Sequence, residues 1–156
     1  MYTVYLGEDT PTQALFFKGV LSQGGALDIT TFGDGLDLYL AVQESPPDLV
    51  VSDIMLPNLD GRALARLLKF HDDTSHIPLI LVSALSEEHR EGMENIGADA
   101  FLPKPISVPE LRETVARLIT RNLDSPGSPI SPSSPPHLPP LSQNPRIPSA
   151  SFWDQK

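Results

Sequence analysis

The sequence contains no cysteine, which excludes disulfide bonds and zinc sites built on cysteine. Basic side chains are also scarce, because 11 Lys and Arg stand against 20 Asp and Glu, for a formal net charge of −9. A nucleic-acid binder needs a basic face that neutralises phosphates. We therefore expect no nucleic-acid partner for this chain.

Long hydrophobic runs are absent as well. The longest uncharged apolar stretch, residues 77–85, covers about half of the roughly 20 residues that a membrane-spanning helix requires. At the N-terminus no basic residue precedes the short apolar run, and Glu8 follows it at once, unlike a secretory signal peptide. We therefore predict a cytoplasmic protein with no membrane partner.

The composition changes abruptly near residue 124. Of the 32 residues from 125 to 156, 9 are proline and 8 are serine. Prolines recur at every third position from Pro126 to Pro135, which favours polyproline II and is incompatible with a helix. Such a segment buries too little apolar area to offset its ordering entropy. We predict one folded domain over residues 1–123 and a disordered tail or linker over residues 124–156.

Within the first 124 residues, short β-rich apolar runs alternate with helical patterns. Strands are predicted at residues 3–6, 27–32, 48–52, 77–82 and 99–102. Helices are predicted at residues 11–21, 36–43, 62–70 and 87–96, and a fifth carries the apolar stripe Val108, Leu111, Val115 and Leu118. This alternation predicts an α/β fold, a doubly wound five-stranded parallel sheet with helices on both faces.

Polar side chains follow four of the predicted strands. Glu8 and Asp9 come after the first strand, Asp53 after the third, Ser83 and Ala84 at the end of the fourth, and Lys104 after the fifth. Ligands of open α/β sheets bind beyond the carboxyl ends of the strands, and in the strand order 2-1-3-4-5 these four ends are neighbours. Two carboxylates about 4 Å apart repel by roughly 4 kcal/mol at an effective dielectric near 20, so three of them in one crevice call for a cation.

Four motifs carry a resemblance to a known family. The stretches LGEDTP, PDLVVSDIMLPNLDG, LILVSA and GADAFLPKPI, in this order, resemble those of response-regulator receiver domains, over residues 1 to about 123. The resemblance implies the flavodoxin-like fold, with the strand order 2-1-3-4-5. It also implies a regulatory domain of a two-component or phosphorelay system rather than an enzyme.

The resemblance also assigns roles by position. Asp53 is the implied phospho-acceptor, and Glu8, Asp9, Asp53 and the backbone carbonyl of Met55 are the implied Mg²⁺ ligands. Ser83, Ala84 and Lys104 would contact the phosphoryl group, with a cis peptide bond between Lys104 and Pro105. Ser83 and Phe101 would form the switch that repacks the face of the fourth predicted helix and the fifth strand.

The implied partners are a sensor histidine kinase or phosphotransfer protein, and a downstream target or an output domain outside this sequence.

Two departures from the family pattern carry expectations. Gly7 stands where the family usually has a β-branched residue, so we expect a looser end of the first strand. Met55 and Leu85 are apolar where receivers that lose phosphate rapidly tend to carry polar residues, so we expect a long-lived phosphoryl state.

Other functions stay open from the sequence. A receiver-like module could bind partners without phosphorylation, although the acids, the acceptor and the lysine are all present. A Mg²⁺-dependent phosphohydrolase with an aspartyl intermediate usually has a second aspartate two residues past the first, where this chain has Met55. The Ser-Pro pairs of the tail could be ligands or modification sites. Residues 33–35, Gly-Asp-Gly, lack the third glycine of a dinucleotide-binding loop.

Overall fold

The computed structural model describes residues 1–84 and 96–124, with side chains described through residue 121. The strands are β1 (Tyr2–Gly7), β2 (Leu27–Phe32), β3 (Leu49–Asp53), β4 (Leu79–Ser83) and β5 (Ala100–Pro103). The helices are α1 (Pro11–Ser22), α2 (Gly35–Glu44), α3 (Gly61–Phe70) and α4 (Val108–Asp124). The helix predicted at 87–96 and the tail predicted from 124 lie, except for Ile96 and Asp124, outside the described residues.

The strands form one parallel sheet in the order β2-β1-β3-β4-β5, which confirms the predicted fold class and topology. In the register of the central strands, Gly7 pairs with Ser52, and Asp53 pairs with Val82. The carboxyl ends of β1, β3 and β4 therefore lie side by side. This edge of the sheet receives the chemically active side chains.

Successive residues of the central strands bury opposite faces of the sheet. Val51 packs with α1 and α4, through helix residues that include Phe17, Val20, Leu111 and Leu118. Val50 packs with α2 and α3, through Leu38, Val42, Leu64 and Leu68. Both faces are covered, which is why β3 and β4 begin with unbroken apolar runs, at residues 49–51 and 79–82.

Two aspartates begin the helices of one face. The Asp34 carboxylate accepts hydrogen bonds from the backbone N–H groups of Leu36 and Asp37, and the Asp60 carboxylate accepts one from Ala63. α1 begins differently, because Pro11 occupies its first turn and the preceding Thr10 makes no side-chain cap. The N-cap position of α1 therefore falls on Thr10.

Residues 1–119 form one compact unit. Of the second unit, Thr120–Lys156, the structure describes only residues 120–124, the C-terminal end of α4. None of the described helices is both long enough and apolar enough to cross a lipid bilayer.

Candidate functional site

Three carboxylates converge at the carboxyl edge of the sheet. Glu8 and Asp9 follow β1, and Asp53 is the last residue of β3. One oxygen atom from each of the three lies within 4.8 Å of the other two. β1 and β3 are hydrogen-bonded neighbours, so the parallel sheet itself gathers residues that are 45 positions apart in the chain.

Glu8 is the most enclosed member of the group. Its backbone N–H donates to the Phe32 carbonyl at 2.9 Å, and its carboxylate accepts from the Thr10 N–H at 3.2 Å. Burial raises the pKa of Glu8 and nearby Asp53 adds to this, against the lowering effects of the Thr10 hydrogen bond and of Lys104. The enclosed position of Glu8 is therefore unfavourable for its negative charge.

Asp53 is held through both of its carboxylate oxygens. Oδ1 accepts from the Met55 N–H at 3.1 Å, and Oδ2 accepts from Lys104 Nζ at 2.9 Å. The buried Ser52 hydroxyl donates to the backbone carbonyl of Asp53 at 2.8 Å. These contacts fix both the backbone and the side chain at the end of β3, and the carboxylate keeps a small exposed fraction.

Lys104 reaches the acids from the end of β5. Its backbone N–H donates to the Ser83 carbonyl at 2.9 Å, and the following bond to Pro105 is cis. Its ammonium donates to Asp53, to Glu8 at 3.5 Å and to the Gln13 side-chain oxygen at 2.7 Å. Burial alone would lower the pKa of Lys104, but the hydrogen bond to Asp53 and the charges of Asp53 and Glu8 raise it overall.

The donor set fits Mg²⁺. Three carboxylates face a single ammonium, so two negative charges are left without a balancing cation among the described residues. Mg²⁺ is a hard, divalent ion that binds through carboxylate and carbonyl oxygens and keeps water or phosphate oxygens in its shell. Both the charge and the ligand chemistry of this edge match that ion.

The remaining predicted site residues lie at the end of β4, within β5 and in the loop after β3. Ser83 is buried at the end of β4, where it pairs with Pro103, and Ala84 after it is exposed. Phe101 is half-buried in β5 and packs against the cluster formed with α2 and α3. Met55 follows Asp53 by two residues, with a side chain that is 66% exposed. Their roles at a phosphoryl group stay predictions, and Leu85 lies outside the described residues.

Gly7 corrects an expectation. A side chain at this position would begin 2.8 to 2.9 Å from Leu38, Leu56 and the Ser52 hydroxyl. The end of β1 is therefore tightly packed rather than loose, because Leu38 and Leu56 close over the glycine. A β-branched residue would displace these side chains beside the acids.

Gln13 is a site neighbour that the sequence reasoning missed. It lies in the first turn of α1, after Asp9, and its carboxamide oxygen contacts Lys104. Asp9 precedes the helix, so no helical spacing links the two residues, and the sequence carries no signal for the contact of Gln13 with Lys104. Beside this contact opens a cleft of about 460 Å³, lined by Gln13, Phe16, Phe17, Lys104, Pro105 and Ile106.

Comparison with protein families gives a match over most of this unit. Residues 4–116 match the model described as the response regulator receiver domain. Among curated proteins, the polar-differentiation response regulator DivK of Brucella anthropi is 33% identical over 114 residues, covering 72% of this chain and 92% of that protein. DivK of Brucella ovis is 32% identical over the same shares.

Solved structures agree. The receiver domain of the Francisella response regulator 1452 is 31% identical, with a TM-score of 0.71 over 78% of this chain and 98% of that one. The receiver domain of the sensor histidine kinase PA1611 of Pseudomonas aeruginosa is 25% identical, with a TM-score of 0.70 over 76% and 98%. That domain holds a magnesium ion coordinated in its active site cleft.

Proposed function

Because this chain belongs to the response regulator receiver domain family, we propose that it accepts a phosphoryl group on Asp53 from a histidine kinase or phosphotransfer protein. The observation that carries the proposal is the ion pair of Asp53 with Lys104 inside the cluster of three carboxylates. An aspartate carboxylate is a suitable nucleophile for phosphorus, and its transfer reactions depend on positioning and charge neutralisation.

In the proposed transfer, the N–P bond of a phosphohistidine breaks as an O–P bond forms to an Asp53 carboxylate oxygen. The imidazole leaves and is protonated from solvent. Glu8, Asp9, Asp53 and the Met55 carbonyl would hold Mg²⁺, which supplies positive charge to the phosphoryl oxygens. Lys104 shields the same charge from the other side, and its contact with Gln13 keeps the ammonium at the mouth of the adjoining cleft.

The switch follows from the change in charge. Once Asp53 carries a phosphoryl group, Lys104 moves its hydrogen bond to a phosphoryl oxygen, and the Ser83 hydroxyl is drawn toward another. Ser83 precedes the segment that leads toward β5, so its movement repacks Phe101 and the surface that a downstream protein binds. The proposed activity is regulatory, and the exposed, apolar Met55 supplies no acid two residues past the acceptor for phosphohydrolase turnover.

The test is phosphoryl incorporation from a small phosphodonor with Mg²⁺, followed on a phosphate-affinity gel. We expect the wild-type chain to be labelled and Asp53→Asn to give no labelled band. Asp60→Asn is the matched control, because it makes the same chemical change on the same loop and an asparagine can still cap α3. Labelling of Asp53→Asn at the wild-type level would contradict the assignment. A wild type that stays unlabelled by both donor and kinase would favour the phosphorylation-independent module.

A further inference from the structure

The loop between β3 and α3 is tied to the start of α2 by hydrogen bonds from both the backbone and a side chain. The Gly35 backbone N–H donates to the Pro57 carbonyl at 3.0 Å. The Asn58 side-chain amide donates to the Asp34 carboxylate. Asn58 has a left-handed φ of 67°, a backbone conformation in which asparagine is more common than most other residues.

Gly35 sets the closeness of this contact. An ideal Cβ atom at residue 35 would lie 1.7 Å from the Leu59 carbonyl oxygen, a distance that no side chain tolerates. Any other residue must push the loop away from α2. On the other side, Leu56 lies against Gly7 of β1, where an added Cβ atom would meet Leu56 at 2.9 Å. The loop is thus clamped between two glycines.

The clamped loop carries Met55, whose carbonyl is the backbone ligand in the proposed metal site. Internal turns tie the loop to itself, with the Gly61 N–H bonded to the Ile54 carbonyl at 2.7 Å and the Leu59 N–H to the Pro57 carbonyl at 2.8 Å. These bonds make the loop a compact body, so a shift at residues 57–59 moves residue 55 as well. Groups behind a metal ligand that orient it in this way affect metal affinity by about 10- to 100-fold.

We propose that Asp34, Gly35 and Asn58 are positioning residues, which set the Mg²⁺ affinity of the site by fixing the loop that presents the Met55 carbonyl. This inference rests on the proposed function, since it assumes that Mg²⁺ binds at Glu8, Asp9 and Asp53. The three residues touch neither the metal nor the phosphoryl group. Their effect passes through the backbone of residues 55–59.

The experiment measures Mg²⁺ binding by titration calorimetry on the full chain, together with urea unfolding of each variant. Gly35→Ala is expected to weaken Mg²⁺ binding by about tenfold. Asn58→Gly keeps the left-handed backbone and removes only the amide, so we expect a smaller, about threefold loss. The exchanged pair Asp34→Asn with Asn58→Asp keeps the net charge, one donor and one acceptor, and is expected to bind like the wild type.

Thr74→Val is the matched control for lost stability. It removes the buried hydrogen bond from the Thr74 hydroxyl to the Leu68 carbonyl, at the far end of α3. We expect its Mg²⁺ affinity to be unchanged, and at saturating Mg²⁺ we expect Asn58→Gly to be labelled at the wild-type rate. If Gly35→Ala and Asn58→Gly bind Mg²⁺ as tightly as Thr74→Val, the inference is wrong while the proposed function stands. A wild type without Mg²⁺ binding would overturn both.

Discussion

Lys69 and Lys104 lie at opposite edges of the same sheet. Lys69 lies at the edge where the strands begin, the amino edge, and Lys104 lies at the edge where they end, the carboxyl edge. The two surroundings differ in charge balance. At the amino edge, Lys69 at the end of α3 donates to the carbonyls of Ser75 at 3.1 Å and Ile77 at 2.6 Å, and to Asp99 at 3.0 Å. Asp99 also accepts from the backbone N–H of Leu79, at the start of β4, at 2.8 Å. At the carboxyl edge, Lys104 also has three acceptors, but two of them are carboxylates and Asp9 lies beside these.

The difference separates a structural cluster from a functional one. The Lys69 ammonium donates to one carboxylate, and its other acceptors are neutral carbonyls that anchor a loop. Three carboxylates face one ammonium at Lys104, so that edge carries an excess negative charge that folding alone does not require. Buried charge without full compensation costs stability, and it is typical of sites that bind a ligand of opposite charge. We expect Mg²⁺ to change the effect of substitutions at the carboxyl edge and to leave the effect of substitutions at the amino edge unchanged.

The largest expected effect is that of Mg²⁺ on stability. A ligand that binds only the folded state adds about 2.7 kcal/mol at a concentration of 100 times its Kd. We expect this gain for the wild type in urea unfolding and its loss in Asp9→Asn. Asp99→Asn at the amino edge is the control, since it should lower the baseline stability and keep the full Mg²⁺ gain. Equal gains for the wild type and Asp9→Asn would place the ion elsewhere.

Replacing each lysine by methionine sharpens the contrast. Lys69→Met removes the hydrogen bonds of the ammonium to the Ile77 carbonyl and to the Asp99 carboxylate. We expect a loss of about 2 kcal/mol, equal with and without Mg²⁺. Lys104→Met removes the cation that competes with Mg²⁺ for Glu8 and Asp53, so we expect tighter Mg²⁺ binding by calorimetry. Lower Mg²⁺ affinity in Lys104→Met, or a Mg²⁺-dependent loss in Lys69→Met, would abolish the distinction between the edges.

The lifetime of the phosphoryl group on Asp53 gives a third test. The exposed Met55 side chain offers no hydrogen bond to an attacking water, so we expect label on Asp53 to be lost slowly. Met55→Asn should shorten the half-life by about fivefold, the effect of one hydrogen bond of about 1 kcal/mol. Leu40→Asn, a change at an exposed leucine of α2, should leave it unchanged. A wild-type half-life of seconds contradicts this prediction.

The sequence predicted the fold because each part of it rests on short-range patterns. Apolar runs such as residues 49–51 allow only a strand buried on both faces, and the alternation with helices permits few parallel topologies. Among the described elements, the bounds of the five strands and of α1, α2 and α3 agree with the predicted ones to within about two residues, as expected where ends fray. The packing around Gly7 could not be predicted from short-range patterns, because it depends on Leu38 and Leu56, which come from other parts of the chain.

The candidate site was predictable only where its residues follow strands. Glu8, Asp9, Asp53 and Lys104 could be placed because parallel strands end at one edge of the sheet. The contacts of Gln13 with Lys104 and of Asn58 with Asp34 depend on how distant chain segments approach one another, and no periodicity encodes that distance. The Lys69–Asp99 pair was missed for the same reason, because it joins a helix end to the start of a distant strand.

The smallest expected effect concerns His76, beside the Lys69 cluster. Burial lowers the pKa of His76, the charge of Lys69 lowers it further, and Asp73 opposes both. As the pH falls below the ordinary histidine pKa of about 6.5, the unfolded chain is therefore protonated at His76 before the folded chain is, and the free energy of unfolding drops. We expect His76→Gln to lose less stability than the wild type between about pH 8 and pH 5, by under about 1 kcal/mol because the ring is partly exposed. In Lys69→Met the His76 pKa should rise in an NMR titration, whereas in Lys104→Met it should not; an equal response to both would show that His76 does not sense the amino-edge charge.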